Sequence, residues 1–178
     1  MADAPQSNPF AVFGLPPRFD LDASAIERSY LSKLARAHPD VGEGGDEPDA
    51  AELNLARAAL LDAEQRGNAL LEVLGGPSAS ACKDLPDGFL MEMMTRRQEI
   101  EEEIAQAGDQ SRTRWEAWAR DERAQYARSV GECFDALGEA PNPEKLVEIR
   151  VLLNAWRYIE RLIEQLDPEY DPAGADFR

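Results

Sequence analysis

The chain has 178 residues, 43% of them hydrophobic and 30% charged, and a formal net charge of −16. That length allows one large domain or two small ones, and the apolar content excludes wholesale disorder. The charge excludes non-specific nucleic-acid binding, which needs a basic surface to displace counterions, and is equally poor for anionic membranes. No stretch of apolar residues is long enough to span a bilayer. The start, Met1-Ala2-Asp3-Ala4-Pro5, lacks the charged and apolar regions of a secretion signal and the arginines of a mitochondrial presequence. The expected location is cytoplasmic.

In chain order, Asn8-Pro9 is an N-cap followed by proline at the first helical position, so Phe10 and Phe13 belong to a short first helix stopped by Gly14. The second helix carries Ile26, Tyr30, Leu34 and Ala37 on one face, with Arg28, Lys33 and Arg36 on a neighbouring one. Its start signal is either Asp22 as a direct cap or Ser24 with Glu27 as a capping box. It ends at His38-Pro39-Asp40. Pro39 fixes its own backbone and pushes His38 out of the helical region, leaving an imidazole and a carboxylate on a loop. His38 is the only histidine of the chain.

Residues 41–48 are rich in Gly, Asp and Glu and form a solvated loop. Helices are predicted at about 49–61 and 63–74, and Gly75-Gly76-Pro77 stops the second of them. Turn-forming residues at 77–88 make a linker. Three long helices then follow at about 89–107, 112–137 and 143–166, joined by short loops that favour antiparallel neighbours. Residues 167–178, with two prolines and no periodicity, are expected as a flexible tail. The fold class is all-α.

The helix beginning at Phe89 has an unusual side. Phe89, Met93, Ile100 and Ile104 align as a core stripe, which Met91 and Met94 cannot join. Those two methionines, with Leu90 at the border, lie near Gln98, Glu101 and Glu102. Methionine suits a surface that must repack against a partner; the competing reading is that Met91 and Met94 fill a seam between domains. On the last helix Val151, Tyr158 and Leu162 likewise lie away from the stripe of Trp156, Ile159 and Ile163. Cys82 and Cys133 are far apart and form no metal-ligand cluster, so neither a metal nor another cofactor is expected. Cys133 is read as a core thiol.

Several segments together resemble one family. They are Pro9-Phe10-Ala11-Val12-Phe13-Gly14-Leu15-Pro16, the basic helix with His38-Pro39-Asp40, Leu53-Asn54-Leu55-Ala56, Arg66-Gly67-Asn68-Ala69-Leu70-Leu71-Glu72-Val73-Leu74-Gly75, and Phe89-Leu90-Met91-Glu92. In this order they are similar to the HscB-type (Jac-type) J-domain co-chaperones of iron–sulfur cluster assembly. The resemblance implies a J-domain over residues 1–76, the linker at 77–88, a scaffold-binding three-helix bundle at 89–166 and the tail at 167–178.

It also implies two partners. A DnaK/HscA-type ATPase chaperone would meet His38, Pro39 and Asp40, with Arg28, Lys33 and Arg36 steering the contact. An IscU-type iron–sulfur scaffold protein would meet Leu90, Met91, Met94, Glu102 and Tyr158. The expected function is to stimulate the chaperone's ATPase and deliver the scaffold to it for cluster transfer; the alternative is a J-domain adaptor for a different client. No enzymatic motif is present, so the chain is not expected to be an enzyme. The chain departs from the family pattern at Ala37, where a bulky residue is usual, at Val41, where lysine is frequent, and at Thr95 and Gln98, where acidic residues are frequent.

Overall fold

The computed structural model describes residues 8–36, 48–138, 141–167 and 169–175, and every regular element among them is a helix. Two compact units emerge: residues up to Val73 together with those from Asp171 on, and Leu74–Tyr170.

The N-terminal unit contains α1 (Pro9–Phe13), α2 (Ala23–Arg36), α3 (Ala50–Leu61) and α4 (Ala63–Val73). The Asn8 side chain accepts from the amides of Phe10 and Ala11, and Gly14 at φ 63° closes α1 in the left-handed region. Of the two starts open to α2, the structure uses Asp22, whose carboxylate accepts from the Ser24 amide at 2.9 Å and its hydroxyl at 2.6 Å. Glu27 forms no capping box, because it pairs across the unit with Arg57 at 2.9 and 3.1 Å. Tyr30 donates to Asn54 one turn further along, at 2.8 Å. These two contacts run in opposite chain directions, so α2 and α3 form an antiparallel hairpin around Phe10, Ile26, Leu53 and Leu60, all buried.

Asp62 ends α3 and starts α4 without a glycine or proline. It leaves the helical region at ψ 118°, then caps the next helix by accepting from the amide and side chain of Gln65. Arg66 is 6% exposed; it donates to the carbonyls of Phe19 and Leu60 and lies over the Phe19 ring at 5.3 Å. It thereby fastens the connection before α2 to the end of α3, and two backbone carbonyls offset the desolvation of its buried charge. A single turn, α8 (Pro172–Ala175), also belongs to this unit and touches α3.

The second unit contains α5 (Phe89–Ala107), α6 (Asp109–Asp135) and α7 (Pro143–Leu166). Gly108 alone separates α5 from α6, at φ 58° and ψ −133°, a conformation that side chains with a Cβ rarely adopt. The reversal pairs late α5 with early α6: the Trp115 indole donates to Glu103 at 2.8 Å, and Arg96 lies 5.1 Å over the Trp118 ring. α7 packs along α6 around Ala119, Val130, Ile149, Leu153, Trp156 and Ile163, all buried. Inside that interface Arg123 and Glu160 pair at 2.9 Å, and the Trp156 indole and Tyr170 hydroxyl donate to the same carboxylate at 2.7 and 2.9 Å. Three donors on one buried carboxylate offset its desolvation.

Two segments without helical periodicity are held by single polar side chains. Asn154 on α7 donates to the carbonyls of Cys82 and Asp84, both at 3.0 Å, and Leu85 packs against the bundle core, so part of the stretch read as a linker is fastened to the second unit. After α7, Asp167 pairs with Arg120 at 2.7 Å and Tyr170 reaches Glu160, which ties down the beginning of the stretch read as a tail.

Candidate functional site

Among the residues expected to meet a chaperone, His38, Pro39 and Asp40 lie outside the described residues, as do Ala37 and Val41. The basic residues of α2 are described. Arg28, Lys33 and Arg36 line one hollow of about 250 Å³ together with Phe13, Ser29 and Ser32. Arg28 is held by its own helix start: it donates to Ser24 at 2.8 Å and lies 3.9 Å from Asp22. The Ser24 hydroxyl and amide, with the Arg28 charge, hold the Asp22 carboxyl below its ordinary value. Lys33 and Arg36 make no ion pair among the described residues, so their charge is available to an incoming acidic surface. In a chain of net charge −16 this hollow is a local inversion of sign.

The second set lies on the bundle. Phe89, Met93 and Ile100 turn into the core, 7%, 5% and 5% exposed. Leu90, Met91 and Met94 turn outward, 51%, 71% and 62% exposed, as their angular positions on α5 require. Glu102 is exposed on the same helix and accepts from Gln98 at 2.9 Å. Tyr158 comes from α7, half-buried, its ring edge-on to Phe89 at 5.7 Å. Phe89 therefore links the start of α5 to Tyr158 on α7. The α7 expectation is corrected at one point: Leu162, read as lying off the core stripe, is 2% exposed and belongs to the core. The bundle core is wider than one helical stripe because α5 and α6 meet α7 from two sides.

Tyr126 on α6 shares the same aromatic neighbour. Its ring meets the other edge of Phe89 at 6.5 Å, and burial, followed by the Glu122 and Glu92 charges, pushes its phenol up to about 12. Glu122 is itself raised, first by burial and then by Glu92. Paired carboxylates on α5 and α6 thus border the Phe89 end of the patch. The expected consequence is that the unfolded chain releases this proton near the ordinary tyrosine value while the folded chain retains it. Stability is then fully present below about pH 10 and is lost as pH rises towards 12. Ultraviolet titration should show a late phenolate that Tyr126→Phe removes; a titration unchanged in Tyr126→Phe would contradict the packing.

Among the described residues no group of three or more His, Cys, Asp or Glu is placed to hold a metal ion, and no helix is long and apolar enough to cross a membrane. Cys133 is partly buried, and burial followed by Glu148 and Glu132 raises its thiol, which disfavours the thiolate form a metal would need.

Comparisons with known proteins agree with this arrangement. A family model described as the HSCB C-terminal oligomerisation domain matches residues 85–167. The co-chaperone protein HscB homologue of Vibrio cholerae is 31% identical over 172 residues, spanning 89% of this chain and 98% of that one. The mitochondrial J-type co-chaperone jac1 of Schizosaccharomyces pombe is 27% identical over 158 residues, spanning 85% of this chain and 68% of that one. Among solved structures, the chaperone HscB from Vibrio cholerae shares the fold at a TM-score of 0.72 and 22% identity, over 90% of this chain and 96% of that one. The human co-chaperone protein HscB does so at 0.68 and 20% identity, over 95% and 85%. With its helical N-terminal unit, its three-helix bundle and a relative matched at this identity over nearly its whole length, the chain belongs to the HscB-type co-chaperone family.

Proposed function

We propose that this chain is a two-headed adaptor of iron–sulfur cluster assembly working in the cytoplasm. Its bundle holds an IscU-type scaffold through Leu90, Met91, Met94, Glu102 and Tyr158. Its N-terminal unit docks on a DnaK/HscA-type chaperone through the basic hollow and His38-Pro39-Asp40, and stimulates ATP hydrolysis there. The observation that carries this reading is the exposure of three large apolar side chains on one helix, Leu90, Met91 and Met94, at positions where the family resemblance puts scaffold contacts. The phosphoryl chemistry belongs to the chaperone; His38 acts as a contact group and not as a base.

Physical chemistry assigns the two heads different roles. Opposite charge across the chaperone contact accelerates encounter and selects partners more than it adds affinity. The apolar patch supplies affinity that is modest and reversible, as delivery requires. The test is a steady-state ATPase assay of the chaperone with this chain and the scaffold added separately and together. Stimulation by the chain that rises further with scaffold is expected. Stimulation indifferent to scaffold would remove the iron–sulfur role and leave an adaptor for another client, a reading to which Thr95 and Gln98 lend weight.

A further inference from the structure

The N-terminal unit has a second, larger hollow, about 920 Å³, formed by α1, α3 and α4. Two helices supply its apolar surface in parallel stripes. Ala51, Leu55 and Ala59 stand one turn apart along α3, and Ala69 and Val73 one turn apart along α4. Leu55 is 73% exposed and Val73 37%, so the stripes are open to solvent. The alanines keep the floor low, which lets another backbone approach closely. Two such stripes flanking a trough are what a third helix packs into, ridge against groove.

The polar residues of the hollow determine what that helix must carry. Asn8 and Asp49 cap α1 and α3, Gln65 bonds to Asp62, and Asn68 bonds to the Glu64 carbonyl and carboxylate. Each is already engaged by its own helix. Glu52 and Glu72 differ: among the described residues their carboxylates have neither an ion pair nor a hydrogen bond. Glu52 stands in the first turn of α3, where a negative charge is favoured. Glu72 stands in the last turn of α4, which has no basic residue, so its charge adds to the negative carbonyl end of the helix. Among the described residues no lysine or arginine lines the hollow. A cation is therefore favoured most at the Glu72 end.

We propose that this groove takes an amphipathic basic helix from a partner protein, its apolar stripe against the alanine floor and a lysine or arginine over Glu72. The net charge of −16 on each copy opposes self-association at long range, and the basic face of α2 in a second copy is the competing occupant that the test below separates from a partner helix. α8 touches α3, and neither Pro172 nor Ala173 lines the hollow. The groove is thus a third interaction surface, opposite in sign to the hollow on α2, and it stands whether or not the chaperone and scaffold assignments hold.

The test uses the full chain with methyl-labelled Ala, Leu and Val, titrated with a helical Leu/Lys peptide and, separately, a Leu/Glu peptide of equal length. The Leu/Lys peptide is expected to shift the Leu55, Ala59, Ala69 and Val73 methyls, and the Leu/Glu peptide to leave them in place. Glu72→Lys and, independently, Leu55→Asp should each weaken binding by roughly tenfold or more, with the unfolding midpoint retained. Shifts spread over the bundle's acidic faces, or undiminished binding by the variants, would overturn the assignment. So would binding that appears only after removal of residues 171–178, which would make the chain's own end the occupant. Concentration-dependent shifts of the same methyls without peptide would instead assign the groove to a second copy.

Discussion

Met91→Ala/Met94→Ala is expected to weaken scaffold binding roughly 30- to 1000-fold while leaving the fold intact. The two side chains are 71% and 62% exposed, so the isolated chain loses little packing when they are truncated. In a complex their burial is worth about 2–4 kcal/mol together, at about 1.4 kcal/mol per tenfold in affinity. That loss is large because association itself costs on the order of 4–15 kcal/mol, leaving a three-residue apolar patch a narrow surplus. The expected readout is calorimetric binding to the scaffold, with circular dichroism and unfolding midpoint as controls. In the ATPase assay the same variant should lose only the increment that scaffold adds. Unchanged affinity would remove the outward face of α5 from the binding surface. Tyr158 offers an independent check: Tyr158→Ala should weaken binding and also loosen Phe89, whose ring it meets edge-on at 5.7 Å.

His38→Gln should have the complementary effect: stimulation of the chaperone ATPase falls to the chaperone's own rate, and scaffold binding is unchanged. Glutamine retains a polar, hydrogen-bonding side chain on the loop but not the imidazole. Pro39 is unchanged, and a proline disfavours the helical region for whichever residue precedes it, so loss of stimulation would report the ring and not the loop shape. Normal stimulation by this variant would sink the chaperone contact. Lys33 and Arg36 predict a different signature from His38. Because they contribute long-range charge, reversing them should slow docking chiefly at low ionic strength, and the deficit should shrink as salt screens the encounter. Together the methionine and histidine variants separate the two heads of the adaptor, each leaving the other's activity in place.

Much of the architecture was legible in the chain because it rests on local, periodic signals. Asn8-Pro9 and Gly14 delimit α1, and α7 starts at the expected residue 143, whereas α6 starts at Asp109, before the expected 112, because Gly108 alone makes the turn. The outward position of Met91 and Met94 follows from helical geometry once Phe89, Met93 and Ile100 define the inner stripe. What the sequence could not decide depends on pairs of residues distant along the chain. The choice of Asp22 over a Ser24–Glu27 box turned on Arg57, which draws Glu27 away across the unit. Leu162 entered the core because α7 is covered from two sides, a fact of bundle geometry with no signature in a single helix. Asn154, whose amide fastens residues 82 and 84, and Glu160, which gathers Arg123, Trp156 and Tyr170, look like ordinary polar positions until the fold brings their partners to them. The groove beside α3 and α4 is likewise tertiary. Its stripes are three- and two-residue sets of apolar side chains that acquire meaning only when the fold brings α3 and α4 to one hollow. Local periodicity and capping determined which helices form and which face each turns inward; long-range pairing decided which polar groups are satisfied and which surfaces are left open for partners.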